Sequence, residues 1–229
     1  MAKQSTDETM NCIKKTISQN QSNKIFFNKD FSYSVAENNF FYYEDKFGGL
    51  KLQMPNIKGQ FQLENISTAI ATLRILDLEI KQEHIQKGVT KISDLARLQE
   101  IKSGKLKELV KKNKLIVDGS HNEDGARALN EYLQSLDCNK HVIVGMMSNK
   151  RHEKYISYFK NITSLTTVDI PNQPNSMSGK DLVKKFKNLP NVKCQPNIFE
   201  AIKSINLKEG DILLITGSLY LAGEVLSLN

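Results

Sequence analysis

The sequence predicts an α/β protein whose larger, C-terminal part is a mostly parallel sheet flanked by helices. From about residue 97 onward, short apolar runs alternate with amphipathic helical patterns, the rhythm of consecutive βαβ units. Before that point the chain carries short aromatic or alternating runs separated by Asn-, Asp- and Gly-containing turns. That pattern fits antiparallel strands joined to helices.

The elements follow in order. Residues 5–20 are polar, with Met10, Ile13 and Ile17 spaced three and then four apart, as on one face of a short helix. K-I-F-F (24–27), F-S-Y-S-V (31–35), N-F-F-Y-Y (39–43) and L-K-L-Q-M (50–54) read as strands. Helical periodicity returns near 62–77, with Ile66, Ala69, Ile70, Leu73 and Leu76 on one face, and again near 82–91. K-I-S-D-L-A (Lys91–Ala96) is the expected linker, dividing the chain into 1–93 and 94–229. Beyond it, L-I-V (115–117), H-V-I-V-G (141–145), L-T-T-V-D (165–169) and D-I-L-L-I-T (211–216) predict strands. Helices are expected near 124–136, 152–160, 178–187 and from Leu219.

Composition narrows the function classes. Of 229 residues, 39% are hydrophobic and 25% charged, an ordinary globular balance. No apolar run is long enough for a membrane span, and the first ten residues lack the apolar core of a secretory signal. Cys12, Cys138 and Cys194 are scattered, with no C-x-x-C, so reduced thiols and a cytoplasmic location are expected. His84, His121, His141 and His152 form no H-E-x-x-H, so no metal site is expected from this chain's own ligands. The net charge of +7 suits anionic partners. The lysine clusters Lys111–Lys112–Lys114 and Lys184–Lys185–Lys187 lack interleaved aromatics, so they read as solvated helix faces and no nucleic acid is expected.

In an open parallel sheet, ligands bind beyond the carboxyl ends of the strands. There the sequence places Asp118, Ser120, His121 and Asn122, then Gly145 to Lys150, then Thr216, Gly217, Ser218 and Tyr220. Helix N-termini at that edge favour anions. Asp118 suits ribose hydroxyls, and Ser218 and Lys150 suit a carboxylate or phosphate. Ser120, Asn122 and Asp124 equally suit helix N-caps. No G-x-G-x-x-G follows a predicted strand, and no G-x-x-x-x-G-K-[ST] is present; K-S-G-K (102–105) lacks the first glycine and the final hydroxyl.

D-G-S-H-N (118–122) resembles the D-G-A-H-N of folylpolyglutamate synthases and dihydrofolate synthases in the Mur ligase superfamily. G-Q-F-Q-L-E-N-I-S-T-A (59–69) resembles their G-x-H-Q-x-x-N-A-x-x-A, and L-A-R-L-Q (95–99) their P-[GA]-R-L-[EQ]. G-M-M-S-N-K (145–150) resembles their G-M-x-x-x-K-D, and G-S-L-Y-L-A-G-E-V (217–225) is close to intact. The motifs stand in the family's order. The resemblance implies a Rossmann-like C-terminal glutamate ligase domain over 94–229, and over 1–93 the end of a central ATP-binding domain. It implies ATP-dependent ligation of L-glutamate to a folate or dihydropteroate carboxylate through an acyl phosphate. By the same resemblance Asn65 meets the adenine side of ATP and Arg97 its phosphates. Asp118 holds the ribose, and His121 and Ser218 face the glutamate or acyl phosphate. Lys150 contacts a carboxylate, and Arg97 and His121 are the candidate catalytic residues.

This chain departs from the pattern at four positions. Phe61 stands for the family's histidine, Asp94 for a tryptophan, Glu123 for a proline and Arg151 for an aspartate. The resemblance also places the P-loop and the Glu and His ligands of Mg2+ ahead of the part seen here. The chain is therefore expected to be the C-terminal half, beginning at an internal methionine. It is expected to be inactive alone and to need a separately encoded N-terminal half as partner. The alternative is a noncatalytic remnant, or a nucleotide- or glutamate-binding module from a split or decayed gene. An unrelated nucleotide-binding protein with a basic face would have to match the ordered motifs by chance.

Overall fold

The computed structural model describes residues 4, 6–20, 24–57, 59–76, 78–92, 95–186, 189 and 191–229. The chain divides into two compact units, Met1–Ser93 and Asp94–Asn229. Ser93 and Asp94 of the expected linker, Lys187 of the second lysine cluster, and Met1 to Lys3 and Ser5 at the start lie outside the described residues. Among the described residues no helix is long and apolar enough to cross a membrane.

The first unit begins with α1 (Asp7–Ser18), where Thr6 caps the Thr9 amide and Asp7 and Glu8 complement the helix dipole. None of its side chains is buried. The strands β1 (Phe31–Ala36), β2 (Phe40–Asp45) and β3 (Gly48–Gln53) form an antiparallel meander. The register sets Tyr33 opposite Tyr43 and Phe41 opposite Leu52. Period-two alternation buries Phe41 and Tyr43 and leaves Tyr42 outside. The buried face meets Leu63, Ile66, Ile70 and Ala71 of α2 (Gln60–Ile75) and Ile85 and Val89 of α3 (Gln82–Thr90).

Two expectations need correction here. K-I-F-F is not a strand. The Asp30 carboxylate accepts the Phe26 amide at 2.7 Å, Asn28 takes a φ of 61°, and only Phe27 forms a bridge, to Phe31. On α2, Ala69 and Leu76 lie outside the buried face, which includes Leu63 and Ala71 instead. Ala69 lines an open apolar groove of about 340 Å³ between α2 and α3.

The second unit is a six-stranded sheet in the order β4-β5-β9-β6-β7-β8. Its strands are β4 (Gln99–Ile101), β5 (Lys114–Val117), β6 (Lys140–Val144), β7 (Ser164–Thr167), β8 (Val192–Cys194) and β9 (Ile212–Thr216). All neighbours are parallel except β4, which pairs antiparallel with β5. The helices are α4 (Lys105–Val110), α5 (Glu123–Gln134), α6 (His152–Ser157), α7 (Gly179–Lys185), α8 (Ile198–Lys203) and α9 (Leu219–Leu228). Leu115, Val117, Ile143, Leu213 and Ile215 pack with α4, α8 and α9. Alternation turns Ile116, Val142, Val144 and Leu214 to the opposite face, and all four are buried as well. Burial on both faces explains why these strands read as continuous apolar runs.

Helix starts are fixed by polar caps. Asn122, Ser178, Asn197 and Ser218 accept the amides of Gly125, Asp181, Glu200 and Tyr220, respectively. Each such cap stabilises its helix by about 1 kcal/mol. The sequence-based reading had no counterpart for β4, α4, β8 or α8, which have 3, 6, 3 and 6 residues.

Candidate active site at the carboxyl edge of the sheet

Because β9 lies between β5 and β6, the carboxyl ends of these strands are neighbours. Backbone bonds continue past the ladder and tie the loops together. The Asp118 amide donates to Ile215 O, Gly145 to Thr216 O, and Gly217 to Ser120 O. Gly217 has a φ of 107°, and a Cβ there would stand 2.7 Å from the Gly145 carbonyl oxygen. Only glycine fits both the backbone conformation and this close approach.

Asp118 is 1% exposed, and both of its oxygens are engaged. Oδ1 accepts the Ser120 amide and Oδ2 the Leu98 amide, each at 2.8 Å. The segment before Leu98 is fastened as well, since Ala96 O accepts from Gly119 and the Ala96 amide donates to Gln99 Oε1. Ala96 and Leu98 have φ values of 53° and 50°, which side chains other than glycine rarely adopt. Both are buried, while Arg97 between them is exposed. Asp118 therefore closes off a strained turn that projects one guanidinium outward. Among the described residues no carboxylate pairs with Arg97.

His121 is half-buried, and its Nδ1 lies 2.9 Å from Gly119 O. A carbonyl accepts only, so Nδ1 carries the proton and Nε2 is left as the ring's acceptor. Asn122 is the α5 N-cap, and Asp124 pairs with Arg127 at 2.9 Å. Ser218, 2% exposed, is the α9 N-cap, with Oγ accepting the Tyr220 amide at 3.1 Å. The first turn of α9 carries no acidic residue, whereas that of α5 carries Glu123 and Asp124. Lys150 is half-buried in the loop after β6. That loop is held by Ser148, which bonds Asn175 O, and by His152 Nε2, which donates to Met147 O at 3.0 Å.

The edge thus gathers Asp118, His121, Ser218 and Lys150, with Arg97 fastened to Asp118 through the backbone of Leu98. Asn65 lies in the first unit, exposed on α2, with its amide 3.4 Å from Gln62 Oε1.

Tyr155 was not singled out from the sequence. It is 1% exposed, and its hydroxyl donates to Ser120 O at 3.1 Å and meets Thr216 Oγ1 at 2.9 Å. It bolts the ends of β5 and β9 to α6. Burial pushes its hydroxyl pKa far above the ordinary tyrosine value, so it stays protonated and holds these contacts. The available signal was a tyrosine on the apolar face of a helix just after a candidate loop.

Two of the four departures from the family pattern meet in space. Arg151 Nη1 lies 3.1 Å from Glu123 Oε1.

Residues 105–219 match the Mur ligase, glutamate ligase domain family. The folylpolyglutamate synthase of Lacticaseibacillus casei is 27% identical over 214 residues, covering 87% of this chain and 46% of the relative. The chain thus spans about half the length of this curated relative. The Mycobacterium tuberculosis folylpolyglutamate synthase complexed with ADP and AMPPCP superposes with a TM-score of 0.82 at 15% identity, over 99% of this chain and 54% of that one. The Yersinia pestis bifunctional folylpolyglutamate synthase/dihydrofolate synthase with Mn, AMPPNP and L-glutamate bound gives 0.77 at 20% identity, over 95% and 50%. With the family match over half its length, the chain belongs to the Mur ligase, glutamate ligase domain family, and it shares over nearly all of its length the fold of part of these folylpolyglutamate synthases.

Proposed function

We propose that this chain supplies the nucleotide- and glutamate-facing wall of an ATP-dependent carboxylate–amine ligase acting on a folate or dihydropteroate. The observation that carries the reading is the Asp118 carboxylate, which ties the turn carrying Arg97 to the loop that carries His121. In the reaction a substrate carboxylate oxygen takes the γ-phosphoryl group of ATP and ADP leaves. The amine of L-glutamate then attacks the acyl carbon, phosphate departs and the nitrogen gives up a proton.

Chemistry of this kind needs alignment and charge stabilisation more than a nucleophilic side chain. Arg97, exposed and without a carboxylate partner among the described residues, fits the phosphate charge. His121 Nε2 is an acceptor suited to the amine's proton. The N-terminus of α9 beyond Ser218 and the Lys150 ammonium suit the glutamate carboxylates. Asp118 remains the candidate for the ribose; its two oxygens also accept the Ser120 and Leu98 amides and so set the turn that carries Arg97. Asn65 remains the candidate for the adenine side.

Mg2+ belongs to the reaction in this reading. Among the described residues no three His, Cys, Asp or Glu side chains gather as a ligand set, so no step is assigned to the ion here. We assign the ion and the phosphate cradle to the part of the relatives that this chain does not cover, since these residues contain no G-x-x-x-x-G-K-[ST]. The Lacticaseibacillus casei relative, named for the same activity, and the ADP- and glutamate-bound neighbours support this reading.

Calorimetry of the whole chain with ADP and with L-glutamate tests it. Both should bind weakly, and Arg97→Ala should weaken ADP about tenfold while leaving glutamate unchanged. Equal ADP affinity in the variant would remove Arg97 from the phosphate site.

A further inference from the structure

The turn that presents Arg97 is held by more than the Asp118 carboxylate. Ala96 and Leu98, on either side of Arg97, both have left-handed backbone, with φ values of 53° and 50°. Such residues persist only where their surroundings over-determine them. Each gives its amide to a side-chain oxygen. Leu98 donates to Asp118 Oδ2 at 2.8 Å, and Ala96 donates to Gln99 Oε1 at 2.9 Å. Ala96 is fixed at its other end as well, where its carbonyl accepts the Gly119 amide at 2.9 Å.

The fold suits Gln99 to this contact. It opens β4 and pairs in register with Val117, the last residue of β5, so its backbone stands in the sheet at the carboxyl edge. From that fixed post its half-buried side chain reaches back three residues to Ala96. A backbone amide only donates, so the side-chain oxygen of Gln99, and not its NH2 group, faces Ala96. The two acceptors grip the backbone on both sides of one residue, Arg97, whose side chain is exposed. A long side chain spends less of its binding free energy on ordering when its backbone is held in place beforehand.

We propose that Gln99 is a positioning residue. Its Oε1, together with Asp118, sets the direction in which Arg97 leaves the sheet edge, and so the fit of the guanidinium to the nucleotide phosphates. This rests on the ligase reading above and adds to it a residue that acts without touching the ligand. The acceptor oxygen carries the role. Gln99→Glu keeps that oxygen, whereas Gln99→Met, of similar length, removes it.

The test is calorimetry of the full chain with ADP, run as a double-mutant cycle. Gln99→Met should weaken ADP about fivefold when Arg97 is present, and by less than about twofold in the Arg97→Ala background, where nothing is left to position. Gln99→Glu should recover most of the affinity that Gln99→Met loses. Hydrogen exchange at the Ala96 amide should quicken in Gln99→Met and slow again in Gln99→Glu. Three results would overturn the proposal. Equal loss of ADP affinity in both backgrounds would mean that Gln99 does not act through Arg97. Gln99→Glu binding as poorly as Gln99→Met would move the role to the NH2 group. Unchanged Ala96 exchange in Gln99→Met would remove the contact itself. The unaltered chain separates the two levels of the argument. If it binds ADP and Gln99→Met binds equally well, the assignment of Gln99 alone fails; if it binds no ADP, the ligase reading fails and takes the assignment with it.

Discussion

Replacing Asp118 by Asn changes one atom at the centre of the candidate site. The carboxylate accepts two amides, Leu98 and Ser120, each at 2.8 Å, from a position 1% exposed. An asparagine can accept only one of them; its NH2 group then faces the other N–H, donor against donor. A hydrogen bond to a charged group contributes about 1.5–3 kcal/mol, and a buried donor left unpaired costs about 1–3 kcal/mol. Together these give a loss of roughly 3–5 kcal/mol, with the αL turn of Ala96 and Leu98 deprived of its anchor. Hydrogen exchange reads this directly: protection of the Leu98 or Ser120 amide should fall by about a hundredfold or more, and urea unfolding of the second unit should shift to lower denaturant. Asp118→Asn with unchanged exchange at both amides and a loss under about 1 kcal/mol would refute the clamp.

Other consequences are smaller or more local. Tyr155→Phe removes the hydroxyl shared by Ser120 O and Thr216 Oγ1 and should cost about 1–2 kcal/mol in urea unfolding, since Ser120 O keeps the Gly217 amide. Gly217→Ala meets both a φ of 107° and the Gly145 carbonyl, and should cost at least about 2 kcal/mol; a neutral variant would mean the turn is not held as described. Asp211, 3% exposed, is pushed up by burial, but the Lys208 amide, the Asn139 amide and His141 together hold its carboxyl below the usual range. Its folded pKa is below its unfolded value, so its contribution is complete above about pH 4 and is lost as pH falls through the folded pKa. Asp211→Asn should therefore flatten the loss of stability below about pH 4, as read from unfolding midpoints at successive pH values.

The sheet of the second unit was legible because β5, β6 and β9 are buried on both faces and so appear as unbroken apolar runs. The caps Asn122 and Ser178 mark helix starts in the sequence for the same physical reason that they fix them in the fold. What stayed hidden depends on partners distant in sequence. Nothing in L-A-R-L-Q signals left-handed backbone at Ala96 and Leu98, because Asp118, twenty residues on, imposes it. β4 is a strand only through its antiparallel partner β5. K-I-F-F has strand composition, yet the Asp30 side chain takes its amide. At the site, the motif residues could be placed along one edge from sequence alone. Their division of labour could not: whether Asp118 or Ser218 faces solvent or backbone is decided by burial.

The most direct test of the ligase account mixes this chain with a separately produced, P-loop-bearing N-terminal part of a folylpolyglutamate synthase and follows ADP formation with ATP, a folate and L-glutamate. Glutamate-dependent ADP formation should appear only in the mixture and should disappear with His121→Ala or Arg97→Ala. Equal ADP formation with and without this chain, or no dependence on glutamate, would contradict the account.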